Sequence, residues 1–389
     1  MSVSSSLLIA DVLEQRQLPP GALEPVPTDL LMALRAVSDP RFRRGTRHRF
    51  NAVLGLAVCA VLAGARSYTA IAEWAQDLTP TVGQRLGLGR LPPCESTIRR
   101  VLQRLDGEHL SQVVSDWLAA TALVVGAPRP ALRVIAVDGK TARGARVAGG
   151  RAVHLLAAFD TTDGTVLGQS VVDGKTNEIN AFAPLLDRIE LTGTLVTADA
   201  LHTQRGHVRY LRERGAHYLL TVKANQPTLL RQLRQLPWPQ VPVADRTHDK
   251  AHGRVELRTV KLTTVTAGIG FPDAATAVQI TRRRRPTAAG RWQTETVHAI
   301  TDLDVRQANA ATLADAARAH WGIENRLHWV RDVTFAEDLS QIRTGNGPAV
   351  MATLRNLAIS LHRRAGATNI AAACPHVSRH PSRTLPLLL

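Results

Sequence analysis

A chain of 389 residues, 44% hydrophobic and 21% charged, has room for two or three domains and a large core, which excludes disorder as a whole. Lysine and arginine number 48 against 32 aspartates and glutamates, a net charge of +16; such an excess suits a polyanion, most often nucleic acid, or an arginine-rich composition with no such partner. No apolar run reaches the ~18 residues of a membrane span, and Cys59, Cys94 and Cys374 lie too far apart for a thiolate zinc site or a disulfide framework. With no basic stretch ahead of an apolar one at the N-terminus, the protein is expected in the cytoplasm.

Residues 1–27, with Ser4 to Ser6, Pro19, Pro20, Pro25 and Pro27, read as a flexible leader. A helical domain is expected over 28–126. Leu30, Leu31 and Leu34 have helical spacing that Asp39-Pro40 breaks, and five arginines follow within Arg41–Arg49. That run is either a phosphate-contacting turn or a solvated basic loop. Phe50 to Ala65 is apolar nearly all round, as in a buried helix, and Ile71 and Trp74 mark a second helix. Glu95 to Leu105 opens on acidic and hydroxyl residues, as a helix start should. It sets Ile98, Val101, Leu102 and Leu105 on one face and Arg99, Arg100 and Arg104 largely off it. Helix, turn and basic helix outline a helix-turn-helix, an outline shared by many small bundles. Leu110 to Val125 reads as a further helix, and Gly126 to Pro130 as a linker.

From about residue 130 the period changes. Leu132 to Val137 is a strand-like run that stops on Asp138-Gly-Lys140, and 153–159 and 165–172 follow as strands of a meander. Helix over 177–189, strand over 194–199 ending on Asp199, helix over 203–213, strand over 218–222 and helix over 226–236 complete a first core segment, 130–236. Residues 237–300 lose the helical pattern. Thr/Val-rich runs and the Arg282–Arg285 cluster mark an inserted β subdomain with an exposed hairpin tip. Helices return over 301–366, and 367–389 looks irregular. The fold class expected is α/β, more exactly a mixed α+β sheet with helices on its faces.

Two aspartates ending neighbouring strands, Asp138 and Asp199, would open into one shallow site. After the insertion, Glu324, His328 and Asp332 recur every four residues along one helix face, with Ile323, Leu327 and Val330 on another. Alone, that stripe is as readily a surface network. Together, the three carboxylates suit divalent magnesium or manganese, which prefer oxygen ligands, and two such ions can serve an in-line phosphoryl displacement.

At this point the chain resembles the DDE transposases of bacterial insertion sequences, of the H-repeat-associated type. The resemblance runs from about residue 28 to 389. It rests on Val37 to Arg41 with Gly45 to His48, Val137-Asp-Gly-Lys140, Lys175-Thr-Asn-Glu-Ile179, Val196-Thr-Ala-Asp-Ala-Leu-His-Thr-Gln204, Tyr218-Leu-Leu-Thr-Val-Lys-Ala-Asn-Gln226, His252-Gly-Arg-Val-Glu256, His320-Trp-Gly-Ile-Glu-Asn-Arg-Leu-His-Trp329 and Asp332 to Asp338. It implies a ribonuclease-H-like catalytic core, with Asp138, Asp199 and Glu324 as catalytic residues and ligands of two Mg²⁺ or Mn²⁺ ions. It implies strand cleavage at the element's terminal repeats and transfer into target DNA, by a homodimer. The alternatives are a catalytically silent or domesticated DNA-binding descendant, and a nuclease for RNA–DNA hybrids. DNA contact is expected from Arg41, Arg43, Arg44, Arg47, Arg99, Arg100 and Arg104, and around the site from Lys140, His202, Gln204, Lys223, Asn225, His328 and Arg331. Asn177 and Glu178 also match the motifs. The residues matching motifs around the site could equally orient ligands or cap strands and helices. Where related transposases with a β insertion carry a tyrosine, an arginine and a lysine around the glutamate, this chain has Ala317, His320 and Arg331.

Overall fold

The computed structural model describes residues 29–42, 44, 46–124, 132–146, 152–172, 178–251, 253–265, 268–286 and 290–389. Arg43, Asn177, the leader and the 126–130 linker lie outside them. The chain divides into two compact units: 1–128 with 345–354 and 374–389, and 129–344 with 355–373.

The first unit is helical, as its sequence predicts. Helices run over Leu30–Ala33, Phe50–Leu62, Tyr68–Gln76, Pro80–Arg85, Glu95–Arg104 and Gly107–Val124. Their starts follow from local chemistry. Asp29, Ser67 and Thr79 each accept a hydrogen bond from a backbone N–H of the first turn, satisfying donors the helix itself cannot. In Phe50–Leu62 every residue but Asn51 is buried, matching its all-round apolar character. Glu95–Arg104 buries Ile98, Val101 and Leu102 and exposes Arg99, Arg100 and Arg104. The C-terminal tail differs from expectation. It is helical over Ile370–Ser378 and forms a 3₁₀ helix over Pro381–Leu388. Pro375, Pro381 and Pro386 mask this in the sequence. Buried Ile370, Cys374 and Val377 carry the helical spacing, and Pro381 sits in a first turn, where its missing N–H costs nothing.

The second unit is built on a nine-stranded sheet: β1 Arg133–Arg146, β2 Ala152–Asp160, β3 Thr165–Val172, β4 Thr194–Ala198, β5 His217–Val222, β6 Asp245–Ala251, β7 Arg254–Thr264, β8 Thr276–Pro286 and β9 Gln293–Thr301. Their order is β3-β2-β1-β4-β5-β9-β8-β7-β6. β1, β2 and β3 pair antiparallel, and β4 and β5 join parallel beside β1. This is the mixed α+β, ribonuclease-H-like arrangement expected. The insertion is β as predicted, and it continues the core sheet through antiparallel pairing of β5 with β9. β6, Asp-Arg-Thr-His-Asp-Lys-Ala, has no apolar alternation and gave no sequence signal. Apolar side chains of Ile135, Val137, Val196, Ala198, Tyr218 and Leu220 meet Phe182, Leu186, Val208 and Leu211 in one core, and Leu195, Leu219 and Val278 meet Leu313, Ala314 and Ala316 in another.

Candidate metal-binding active site

Strand register brings the two aspartates together. β1 pairs with β4 from Arg133 opposite Thr194 to Val137 opposite Ala198, so Asp138 and Asp199 are the next residues on adjacent parallel strands. One expectation is corrected here: β1 does not end at Asp138. It runs on to Arg146, because β2 continues to pair with it, Asp138 opposite Ala157 and Lys140 opposite Leu155. The strand loses only its parallel neighbour at that point. Asp199 leaves β4 into a 3₁₀ turn, Ala200–His202, which its carboxylate caps by accepting the Leu201 N–H at 2.9 Å.

The third acid comes from a helix laid against the sheet. Ala310–Ile323 passes through a π turn, Glu324–His328, into Trp329–Val333. Single π turns of this kind recur at functional sites, since they re-aim side chains within a helix. Buried Ile323, Leu327 and Val330 hold it down, and a hydrogen bond of 3.2 Å between His320 Nδ1 and Thr197 Oγ1 ties it to β4. The insertion braces it as well, with Arg282 of β8 stacked on the Trp321 ring at 4.3 Å.

The stripe read from the sequence thus meets alternate residues of β1. His328 Nδ1 lies 3.6 Å from Asp138 and 3.7 Å from Glu324. One turn on, Asp332 receives Lys140 Nζ at 2.6 Å. Ligand atoms of Asp138, Glu324 and His328 all lie within 4.8 Å of one another. Asp199 stands outside that tight group, though its charge still reaches Asp138.

Electrostatics mark the same place. Burial pushes the Asp138 carboxyl up to about 8, and the neighbouring Glu324 and Asp199 charges push the same way. The neighbouring His328 imidazole holds Glu324 at about 2. Burial lowers the His328 imidazole, favouring its neutral, ligating form. Crowded carboxylate oxygens beside a neutral imidazole are the donor set of a divalent cation, which would relieve the repulsion that raises Asp138. The residues present therefore fit a divalent cation.

The remaining expected residues separate into groups. Lys223 is exposed. Asn225, also exposed, donates to the Ala200 carbonyl at 2.5 Å, and Gln204 donates to the Leu201 carbonyl at 2.9 Å, so both brace the turn after Asp199. Lys140, His202, His328 and Arg331 were expected at DNA, and all four are buried. Each is spent inside the unit: Lys140 on Asp332 and Asp338, His202 beside Glu178, His328 between two site acids, and Arg331 on Glu337 at 2.6 Å. Polar residue types in a long motif look alike whether they grip DNA or hold the site from within. In the N-terminal loop, Arg41 is tied to Asp39 at 2.9 Å and to the His48 carbonyl, whereas Arg44 and Arg47 are exposed. Sequence reasoning missed Glu337. It is buried between Arg331 and Arg355; it lies in the Asp332 to Asp338 motif, six residues after Arg331, but the motif assigns it no role.

The family described as Transposase DDE domain matches residues 129–361, and one described as DDE_Tnp_1-associated matches 31–118. The chain is 29% identical over 353 residues to "Putative transposase YncI" of Escherichia coli O157:H7, covering 86% of this chain and 87% of that one. It is 27% identical over 353 residues to "H repeat-associated putative transposase YhhI" of Escherichia coli K12, covering 85% and 89%. It is 32% identical over 261 residues to an uncharacterised protein of Xanthobacter autotrophicus, covering 64% and 86%. Among solved structures, a piggyBac transposase synaptic complex with hairpin DNA matches at TM-score 0.40 and 9% identity, over 94% of this chain and 79% of that one. A family match over more than half of the chain, on a sheet that sets two aspartates side by side and a helix that adds a glutamate, makes this chain a member of the DDE transposases, metal-dependent enzymes that bind DNA and transfer its strands.

Proposed function

We propose that Asp138, Asp199 and Glu324 hold two Mg²⁺ or Mn²⁺ ions, and that the protein cleaves DNA at the ends of an insertion sequence and joins them to target DNA. The observation that carries this reading is the meeting of Asp138, Glu324 and His328 within 4.8 Å at the β1 position beside Asp199. Bound ions of this kind stabilise the attacking and leaving oxygens of an in-line phosphoryl displacement. The chain's own part is to bind and orient. Asp138 is fixed by its pairing with β2 and Asp199 by the turn it caps, while Glu324 is 60% exposed at its side chain. His328 keeps Glu324 ionised. Arg99, Arg100 and Arg104, exposed on one helix, together with Arg44 and Arg47, would read the terminal repeats. Because two ends must be handled together, the working form is a homodimer in the cytoplasm. The alternative of a silent DNA-binding descendant is disfavoured, since all three acids stand in their motifs.

The test is nicking of a supercoiled plasmid carrying the native element ends. Full-length protein with Mg²⁺ is expected to cut at the ends, chelator to stop it, and Asp138→Ala, Asp199→Ala and Glu324→Ala to bind the ends without cutting. End binding with no metal-dependent nicking would favour the silent descendant.

A further inference from the structure

Behind the carboxylate site lies a second buried cluster that the chemistry above leaves unused. Glu178 opens the helix Glu178–Leu186 and is 3% exposed. Its Oε1 accepts from His154 Nε2 of β2 at 2.6 Å, and the other nitrogen of that ring lies 2.8 Å from Thr141 Oγ1 of β1. Its Oε2 lies 3.4 Å from Nε2 of His202, the last residue of the turn capped by Asp199. The same carboxylate fills the space over Gly139, where a Cβ would come within 2.7 Å of Cδ and both oxygens. Phe182, one turn along the helix, stacks on His207 at 4.1 Å, and His207 contacts the His202 carbonyl at 3.1 Å.

One side chain therefore touches the chain next to both strand acids: Gly139 follows Asp138, and His202 closes the turn that follows Asp199. We propose that Glu178 is a positioning residue, a buried strut that fixes the separation of Asp138 and Asp199 and so sets the affinity of the site for its metal. An ion pair serving stability alone would need only a histidine partner. This carboxylate has two, reaching from different segments, and rests on a glycine whose lack of a side chain lets it come close. Outer groups that orient ligands typically govern metal affinity by ~10–100-fold.

The proposal rests on the metal-site reading above, and the experiment separates the two. Mn²⁺ is titrated calorimetrically into full-length protein, and the half-saturating Mn²⁺ concentration is measured for plasmid cleavage, in wild type, Glu178→Gln and Gly139→Ala, with Tm and end-DNA affinity as controls. Glu178→Gln is expected to keep its Tm within a few degrees and its DNA affinity unchanged. It should bind Mn²⁺ at least about tenfold more weakly, with the cleavage rate largely recovered at saturating metal. Gly139→Ala, which displaces the same carboxylate, should shift metal affinity in the same direction. A folded Glu178→Gln with wild-type Mn²⁺ affinity overturns the proposal. Should that variant not fold, Gly139→Ala decides by the same criteria. Asp138→Asn is the control: if it binds Mn²⁺ as the wild type does, the metal-site reading fails, independently of Glu178.

Discussion

Two acidic clusters, one around Glu337 and one around Asp138 and Glu324, are built on opposite principles. At Glu337 the negative charge is fully answered by protein cations. Arg331 and Arg355 reach it at 2.6 and 2.9 Å, and Gln169 and Asn356 extend the network. Burial alone would raise the Glu337 carboxyl, yet the two guanidinium charges outweigh it and hold it at about 2. Among the described residues, no arginine or lysine forms an ion pair with Asp138. Glu324 and Asp199 push its carboxyl the same way as burial does, up to about 8, against a single buried imidazole. The first cluster is a brace. The second is unfavourable unless something cationic completes it, which is how a protein builds an ion site at the expense of its own stability.

The comparison can be broken from either side. Asp138→Ala or Glu324→Ala should lower end cleavage by ~10³-fold or more, since metal stabilisation of the transferring oxygens is worth several kcal/mol. Tm should be unchanged or slightly higher, because charge crowding is relieved, and a cleavage assay beside a thermal melt reads both. Glu337→Gln should do the reverse, costing about 3–5 kcal/mol of stability by stranding two buried guanidiniums. Urea unfolding measures that loss, and a variant as stable as wild type would show the brace to be dispensable. The pH profile sharpens the contrast. A carboxyl at about 2 when folded and ~4.3 when unfolded contributes stability above roughly pH 4.5, and that contribution is lost as pH falls toward about 2. Tm should therefore drop through this window, and Glu337→Gln should flatten the drop. The residual slope belongs partly to Glu178, whose carboxyl is also at about 2, with the hydrogen bond from His154 and the His202 imidazole nearby outweighing burial. Smallest is the effect of reversing Arg99, Arg100 and Arg104 to glutamate. End-DNA affinity should fall roughly tenfold or more at physiological salt and the salt dependence should flatten by about one unit per lost phosphate contact, with Tm unmoved.

Much of this was legible in the sequence, for identifiable reasons. The apolar runs at 132–137 and 194–199, each ending on an aspartate, and the four-residue stripe from Glu324 to Asp332 depend on local pattern alone, so the elements and their facing residues could be placed. What needed partners at long range was hidden. That β1 continues through Gly139 and Lys140 depends on β2, and the Gly-Lys-Thr chemistry there looks like a turn. The polar strand β6 exists because β7 pairs with it over seven residues, not because of its own pattern. Arg331 and His202, expected at DNA, are buried instead, because a motif names Glu337 and Glu178 without showing which side chains they meet. The π turn at Glu324 likewise has no composition signal, although Glu324 opens it.

The central claim is that these three acids, drawn from two strands and one helix, form a divalent-metal site. Calorimetric titration of Mn²⁺ into the full-length protein with end DNA tests it most directly. Two ions per chain are expected for the wild type, and loss of that binding for Asp138→Ala and for Glu324→Ala, with DNA still bound. Unchanged Mn²⁺ stoichiometry and affinity in Glu324→Ala would contradict the claim and remove the helix from the site.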